Sequence, residues 1–431
     1  MPAGSWTRKT WPDQLGPSRT PQARIEADCF PGSWAYVARM TAAATDRGGM
    51  LARPRFIGSD IYRGSSYGPG HPLAIPRVST VIDLCRALGW LPDCQYLDSP
   101  AATPDQLARF HHRDYIATLM AAERRQAVTP DERRRYNIGR NGNPVFAEMF
   151  RRPATACGGS ILGASLILGG GVVYNPAGGT HHGRPGRASG FCYFNDPVLA
   201  ILELLDGGLE RVFYLDVDAH HGDGVQAALA DDPRVLTVSL HEAGRWPMGR
   251  EPGGNPSTGG PQPGAAADRG AGRARNLPVP PGFHDDEMTY LLEAAIIPLA
   301  EAFAPQAVVL QAGADALADD PQSKLALSNR ALWRVVETAR TLAPRLLVLG
   351  GGGYNPWSVG RCWAGIWGLL NGFKPPERLP DVAEAVLRGL SWRHRHGRNP
   401  PERWFARLDD APRSGRIRPE VRALPPQVLA A

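Results

Sequence analysis

The 431-residue chain carries its densest chemistry in residues 213–224, FYLDVDAHHGDG, where an apolar run ends in Asp216, Asp218, His220, His221 and Asp223. A core strand cannot bury that many ionisable groups unless they are paired or bound to a metal, because each unpaired charge costs several kcal/mol. Asp218 and His220 lie two residues apart, so at a strand end they project from one face. A distant Asp315 completes three protein ligands and leaves a fourth position open for water, the layout of a catalytic rather than a closed structural zinc site. For D-x-H alone, an Asp/His ion-pair network at a sheet edge is the commoner explanation. The neighbouring acids and the tandem His181-His182 in GGTHHGRPG turn the balance toward metal chemistry. Tandem histidines by themselves usually sit in a solvated loop. Beside a metal they suit proton transfer, one taking a proton from water and the other stabilising charge or protonating a leaving group. Asp216 and Asp223 are the carboxylates available to fix their tautomers.

A second Gly-rich segment, GGGGY at 350–354, follows a strand-like run. It lacks the context of a phosphate-binding loop, which excludes nucleotide binding. Its glycines allow close backbone approach to a buried ligand and aim Tyr354 inward, where a hydroxyl can stabilise an oxyanion.

These residues need a scaffold that collects them. Apolar runs predict strands at 55–62, 172–174, 211–217, 234–240, 307–311 and 345–349. Helical spacing and cap residues predict helices at 77–88, 154–168, 196–205 (with Asp196 as the cap), 285–303, 328–342 and 356–370, and one starting at Thr103-Pro104-Asp105 with a break near 111–114. Strands alternating with helices imply an α/β fold, a central, mostly parallel sheet covered on both faces. In such sheets ligands bind beyond the carboxyl ends of the strands. Four predicted strands end just before His181-His182, Asp218-Ala219-His220, Asp315 and Tyr354, so the chemistry gathers at one edge.

Composition narrows the class. No apolar run reaches the roughly 18 residues of a membrane span, and no signal-peptide pattern opens the chain, so a soluble cytoplasmic protein with no membrane partner is expected. The six cysteines (Cys29, Cys85, Cys94, Cys157, Cys192, Cys362) form no C-x-x-C pair, which argues for reduced thiols. The net charge of +6 is carried by the ends: residues 54–374 hold 30 basic and 31 acidic groups, giving no electrostatic support for nucleic-acid binding. Residues 1–53 read as a poorly ordered extension with a short helix at 33–45. The sudden onset of pattern after Met50 suggests a native start there, testable by the intact mass of the protein from its own host. Residues 244–275 form a long Gly/Pro loop, and residues 375–431 an Arg/Pro/Trp-rich tail with a short helix at 380–390.

The segments THHGRPGRASGFCYFND, FYLDVDAHHGDGV, VVLQAGADAL and GGGGYNPWSVGRCW resemble the signature blocks of the zinc-dependent histone deacetylase family, in flavour closest to its bacterial acetoin-utilization branch. The likeness covers about residues 55–374 and implies a single arginase/deacetylase-like α/β domain at 54–374. It implies one catalytic zinc on Asp218, His220 and Asp315, and His182 as main general base and acid, oriented by Asp223. His181 pairs with Asp216, and Tyr354 polarises the acyl carbonyl. Metal-activated water then attacks the amide, releasing acetate and an amine. The resemblance also implies a structural potassium on Asp216, Ser239 and the carbonyls of Asp218, His220 and Leu240. Gly190, Phe191 and Trp246 wall an acyl-lysine tunnel, Gln322 stands at its mouth, Gly352 lies on the substrate path, and Arg77 belongs to an internal channel.

The departures concern recognition. GRNGNP, offering Asn141 or Asn143, stands where the family often has a rim acid; Trp246 replaces a phenylalanine, and W-P-M-G-R replaces F-P-G-T-G. The expected substrate is an acetylated protein. A small acetylated amine of the acetylpolyamine type is the alternative within the fold, and a silent acyl-lysine binding module the alternative of another class. An arginase-like ureohydrolase is disfavoured because the further acidic ligands of a binuclear manganese site are absent from the strand ends.

Overall fold

The computed structural model describes residues 53–247 and 262–430. The predicted helix at 33–45 and the Met50 start lie outside the described residues. Eight strands, β1 Arg55–Gly58, β2 Tyr96–Asp98, β3 Gly171–Asn175, β4 Val212–Asp216, β5 Val235–Glu242, β6 Ala274–Val279, β7 Ala307–Gln311 and β8 Arg345–Leu349, form one sheet in the order β2-β1-β3-β8-β7-β4-β5-β6. Every pairing is parallel. β4 (VFYLD) and β5 (VLTVSLHE) are buried along their whole length, as strands covered on both faces must be. This is the α/β architecture, a parallel sheet with helices packed against it, expected from the alternating pattern.

One apolar cluster packs Phe213, Leu215, Leu310 and Val348 against Trp357, Trp363 and Trp367 of the helix Pro356–Leu370. Another packs Tyr214, Val309 and Leu347 with Val198 and Ile201 of the helix Asp196–Asp206. Between them the sheet is closed to water. The helix Arg151–Ile167 approaches closely because its glycines permit it: a Cβ on Gly163 would meet Leu347 and Val173. Among the described residues no helix is long and apolar enough to cross a membrane.

Several boundaries differ from expectation for physical reasons. The first strand ends at Gly58, and Ile61–Gly64 turns helical. The cap of the helix Asp196–Asp206 is Asn195, whose side chain accepts from the Val198 amide, while Asp196 is buried and accepts from Gly179, Thr180 and Ser160. The predicted helix at 285–303 contains a π turn at Leu292–Ile296. β2 and β6, short edge strands, were not predicted; β6 (ARNLPV) carries polar residues and a proline that hide its period. Residues 375–431 read as a low-pattern tail, yet Trp404, Leu408, Val421, Leu424 and Val428 are buried in the main core. Arg361, fully buried, is held by the Arg407 and Asp409 carbonyls and the Asp410 carboxylate.

Candidate metal centre and active site

β3, β8, β7 and β4 are neighbours in the sheet, and their C-terminal ends release the four chemical segments side by side. After β4 the chain delivers Asp218 and His220; after β7, Asp315; after β8, Gly350 to Tyr354; after β3, His181 and His182. Asp218, His220 and Asp315 bring one ligand atom each within 4.8 Å of one another. Nδ1 of His220 lies 3.2 Å from Asp218 Oδ1 and 2.9 Å from Asp315 Oδ2. Their backs are tied down by the backbone: Asp218 accepts from the amides of Gly352 (2.6 Å) and His220, and Asp315 from that of Ala219.

Two buried carboxylates side by side require a positive charge between them. Burial pulls the His220 imidazole down, but Asp218 and Asp315 outweigh it and lift the ring to about 10. One imidazole nitrogen and two carboxylates form a donor set that suits a divalent ion such as zinc. The Gly-rich turn lets the backbone reach this cluster. A Cβ on Gly352 would overlap the Asp315 carboxylate, and Gly353 holds a φ of 144° that favours glycine.

The two histidine rings lie 3.9 Å apart between centroids, tilted by 50°, and differ in charge. His181 Nδ1 lies 2.7 Å from Asp216 Oδ2; burial pulls the ring down, but Asp216 and Asp218 lift it to about 9. His182 Nδ1 lies 2.7 Å from Asp223 Oδ1, and burial together with the charge of His181 pushes it down to about 3. Although burial raises it, Asp223 is held at about 2 by His182 and Arg184, so it can only accept. Nδ1 of His182 is therefore the protonated nitrogen, and Nε2 carries the lone pair.

The loop holding these rings is braced from behind. Asn195 donates to the carbonyls of His181 and Gly183, and His111 bridges the Arg184 carbonyl and the Asn195 amide. Tyr354 is buried, its ring 6.1 Å from that of Phe191; burial and the Asp315 and Asp218 carboxylates push its hydroxyl well above the ordinary range, keeping it a neutral donor.

An outer cavity of about 970 Å³ opens onto His182, His220 and Tyr354, lined also by Gly190, Phe191, Trp246 and Gln322. The Trp246 ring meets that of His182 edge to face, 4.8 Å between centroids, and is 43% exposed, so it stands at the entrance. Phe191 holds a φ of 68°, strained for a non-glycine residue, with its amide bonded to Asn143. That bond settles the two asparagines: Asn143 is a buried support, whereas Asn141 is exposed at the cavity edge. Arg77 and Gly352 instead line a smaller inner cavity behind the metal cluster, where Arg77 donates to the Gly351 carbonyl.

Asp216 and Ser239, expected around potassium, face each other in the β4–β5 register. In the structure Asp216 also takes the Tyr214 hydroxyl, and Ser239 the Gly222 amide. His221, with no expected role, bonds Gln226 and packs on His241.

Sequence reasoning missed Asp320, whose carboxylate accepts from the amides of Tyr354 (2.6 Å) and Gln322 (2.9 Å). Burial and Asp315 push Asp320 up to about 8. It also missed Arg184, the second partner of Asp223. Arg184 directly follows the His181-His182-Gly183 run, a usable signal; Asp320 had none.

Residues 71–370 match the family model for the histone deacetylase domain. The chain is 33% identical over 333 residues to the acetoin utilization protein AcuC of Bacillus subtilis, covering 75% of this chain and 84% of that one. It is 36% identical over 325 residues to the putative histone deacetylase 2 of Caenorhabditis elegans, covering 74% of this chain but 61% of that protein, so it spans about three-fifths of such eukaryotic relatives. The crystal structure of an HDAC homologue from Aquifex aeolicus superposes with a TM-score of 0.81 at 35% identity, covering 88% of this chain and 100% of that one. A complex of an HDAC homologue with SAHA superposes equally well.

Proposed function

Since the chain belongs to the histone deacetylase family of the arginase/deacetylase superfamily, we propose that it hydrolyses an acyl-amide, most simply N-acetyl-lysine on cytoplasmic proteins, to acetate and a free amine. The observation that carries this reading is the convergence of Asp218, His220 and Asp315 beside a neutral, correctly tautomeric His182 and a neutral Tyr354. A zinc ion bound by those three residues would polarise the acyl carbonyl and lower the pKa of an adjacent water.

The protein's own groups account for the proton movements. His182 Nε2 accepts a proton from the attacking water and returns it to the amide nitrogen as the amine departs. Asp223 keeps Nδ1 protonated and the ring aligned throughout. His181, cationic over Asp216, stabilises negative charge nearby, and the Tyr354 hydroxyl donates to the oxyanion as the carbonyl becomes tetrahedral. Gly190, Phe191 and Trp246 enclose the acyl-lysine stem and exclude water, with Gln322 at the mouth. Arg77 supplies a cation on the inner side, where a carboxylate product would pass. A potassium ion between Asp216, Ser239 and the carbonyls of Asp218, His220 and Leu240 is part of the same reading, in which every catalytic group lies within 54–374 while residues 375–431 complete the core.

Acetyl-lysine peptides and acetylpolyamines assayed with zinc-loaded protein test the proposal, with acetate release as the readout. Turnover of an acetyl-lysine peptide that disappears in His182→Ala is expected. An equally zinc-loaded protein that turns over none of these substrates would overturn it and favour a binding module.

A further inference from the structure

Tyr354 stands at the end of a glycine turn that has no side chains with which to hold itself in place; Gly351 and Gly353 adopt φ of 130° and 144°. Before the tyrosine, Gly352 is tied through its amide to Asp218 and through its carbonyl to the Ala314 amide, at 2.7 Å. From Tyr354 onward the ties run to a different turn, at residues 319–320. The Tyr354 amide donates to the Asp320 carboxylate at 2.6 Å, and the Asn355 side chain donates to the Asp319 carbonyl at 3.0 Å. Asn355 is fully buried and caps the helix Pro356–Leu370 by accepting from the amides of Trp357 and Ser358. Asp319 is itself held from further along the chain. Its carboxylate accepts from the Trp404 indole N–H at 2.9 Å and from Arg403 at 3.0 Å. Trp404 is buried, its ring stacked on that of Trp357 at 5.3 Å and 21°. Arg403 and Trp404 both lie beyond the 71–370 stretch that matches the family model.

We propose that Asp319 and Trp404 are positioning residues for the Tyr354 hydroxyl, so that a residue outside the family-matched stretch helps to aim the oxyanion donor. The inference deepens the amidohydrolase reading and rests on it. Among the described residues the Tyr354 hydroxyl has no hydrogen-bond partner, so the backbone that carries the ring decides where it points. An oxyanion donor acts only when aimed at the place where charge develops, and a misplacement of about 1 Å can cost about a hundredfold. The bond from the buried indole N–H to a carboxylate is charge-assisted and directional. Arg403 is half exposed and adds only a weak ion pair. Without the Asp319 carboxylate the indole N–H is left unpaired, and the 319–320 turn loses its outer anchor at the point where it holds Tyr354 and Asn355. Asp218, His220 and Asp315 keep their own backbone bonds. The effect therefore falls on the tetrahedral stage, and so on kcat, rather than on metal content or KM.

The test uses zinc-loaded full-length protein and steady-state acetate release from an acetyl-lysine peptide. Asp319→Ala is expected to lower kcat about tenfold, with KM within about twofold of wild type and bound zinc unchanged, because the hydroxyl is displaced and not removed. Asp319→Asn keeps an oxygen for the indole N–H and should recover most of the rate. Trp404→Phe keeps a ring on Trp357 but lacks the N–H; it should lose a similar factor, and the two changes together no more than either alone. In a Tyr354→Phe background Asp319→Ala should cost less than about twofold, because the group it positions is gone, whereas a general loosening of the loop would multiply the two losses. Asp319 is partly exposed, so its variants should melt as wild type does; they decide the matter by themselves if Trp404→Phe lowers the melting temperature. Wild-type kcat in Asp319→Ala, a defect confined to KM or zinc content, no recovery in Asp319→Asn, or multiplied losses with Tyr354→Phe would overturn the inference while leaving the hydrolase reading standing. Absence of turnover by the wild type would overturn both.

Discussion

Replacing Tyr354 by phenylalanine removes one oxygen and little else. The ring is buried and packs on Phe191, contacts that phenylalanine keeps, and among the described residues the hydroxyl has no hydrogen-bond partner whose loss would unfold the loop. Stability should therefore change by less than about 1 kcal/mol. The turn keeps its place because the Tyr354 amide, not its side chain, is tied to Asp320. What is lost is one donor to the oxyanion, a deletion that typically costs about 10²–10³ in kcat, or roughly 2.7–4 kcal/mol. Burial and the two nearby carboxylates push the hydroxyl well above its ordinary range, so it stays protonated from pH 6 to 9 and the loss should be the same factor across that interval. The assay is steady-state acetate release from an acetyl-lysine peptide, with bound zinc measured in both proteins. A kcat within about threefold of wild type at equal zinc content, or a defect confined to KM, would refute the role given to this hydroxyl.

Other outcomes follow from neighbouring groups. His182→Ala should lower kcat at least about a hundredfold, because His181, being cationic, cannot take over as base; a loss below tenfold would contradict the division of labour. Gly352→Ala places a Cβ against the Asp315 carboxylate, so metal content after dialysis should fall well below stoichiometric while circular dichroism stays unchanged. Chelation of the wild type should lower the melting temperature, since Asp218 and Asp315 lose their shared counter-charge, and added Zn²⁺ should restore it. His111 is pulled down to about 4 by burial, whereas an unfolded histidine titrates near 6.5. The unfolded chain therefore binds the proton more tightly. Stability is complete above about pH 6.5 and falls toward pH 4, by about 2 kcal/mol between pH 7 and 5. Urea melts of His111→Gln should lack that component; an identical slope would show that His111 does not carry it. Truncation after residue 374 exposes apolar surface under Trp404, Leu408 and Val421 and should give insoluble protein; a soluble, cooperatively melting fragment would contradict that packing.

Much of this protein was legible in one dimension. The alternation of apolar runs with capped helices implied the α/β sheet, because period and cap chemistry are local. Four strand ends bearing His181-His182, Asp218-x-His220, Asp315 and Tyr354 marked the site, because buried ionisable groups at such positions have no bland explanation together. Sequence spacing, however, carries no information on strand order. Only the fold makes β3, β8, β7 and β4 neighbours and so turns four separate segments into one cluster. The charges of the two histidines were likewise invisible. Adjacent and identical in type, they separate because His181 faces Asp216 and Asp218 while His182 faces the positive charge of His181. Asp320 reaches the Tyr354 amide across 34 positions of chain, and residues 375–431 join the core through scattered apolar side chains with no period to reveal them. Chemistry that follows from residue type and local spacing was set by the sequence alone; partnership and tautomer are properties of distance, which only tertiary packing decides.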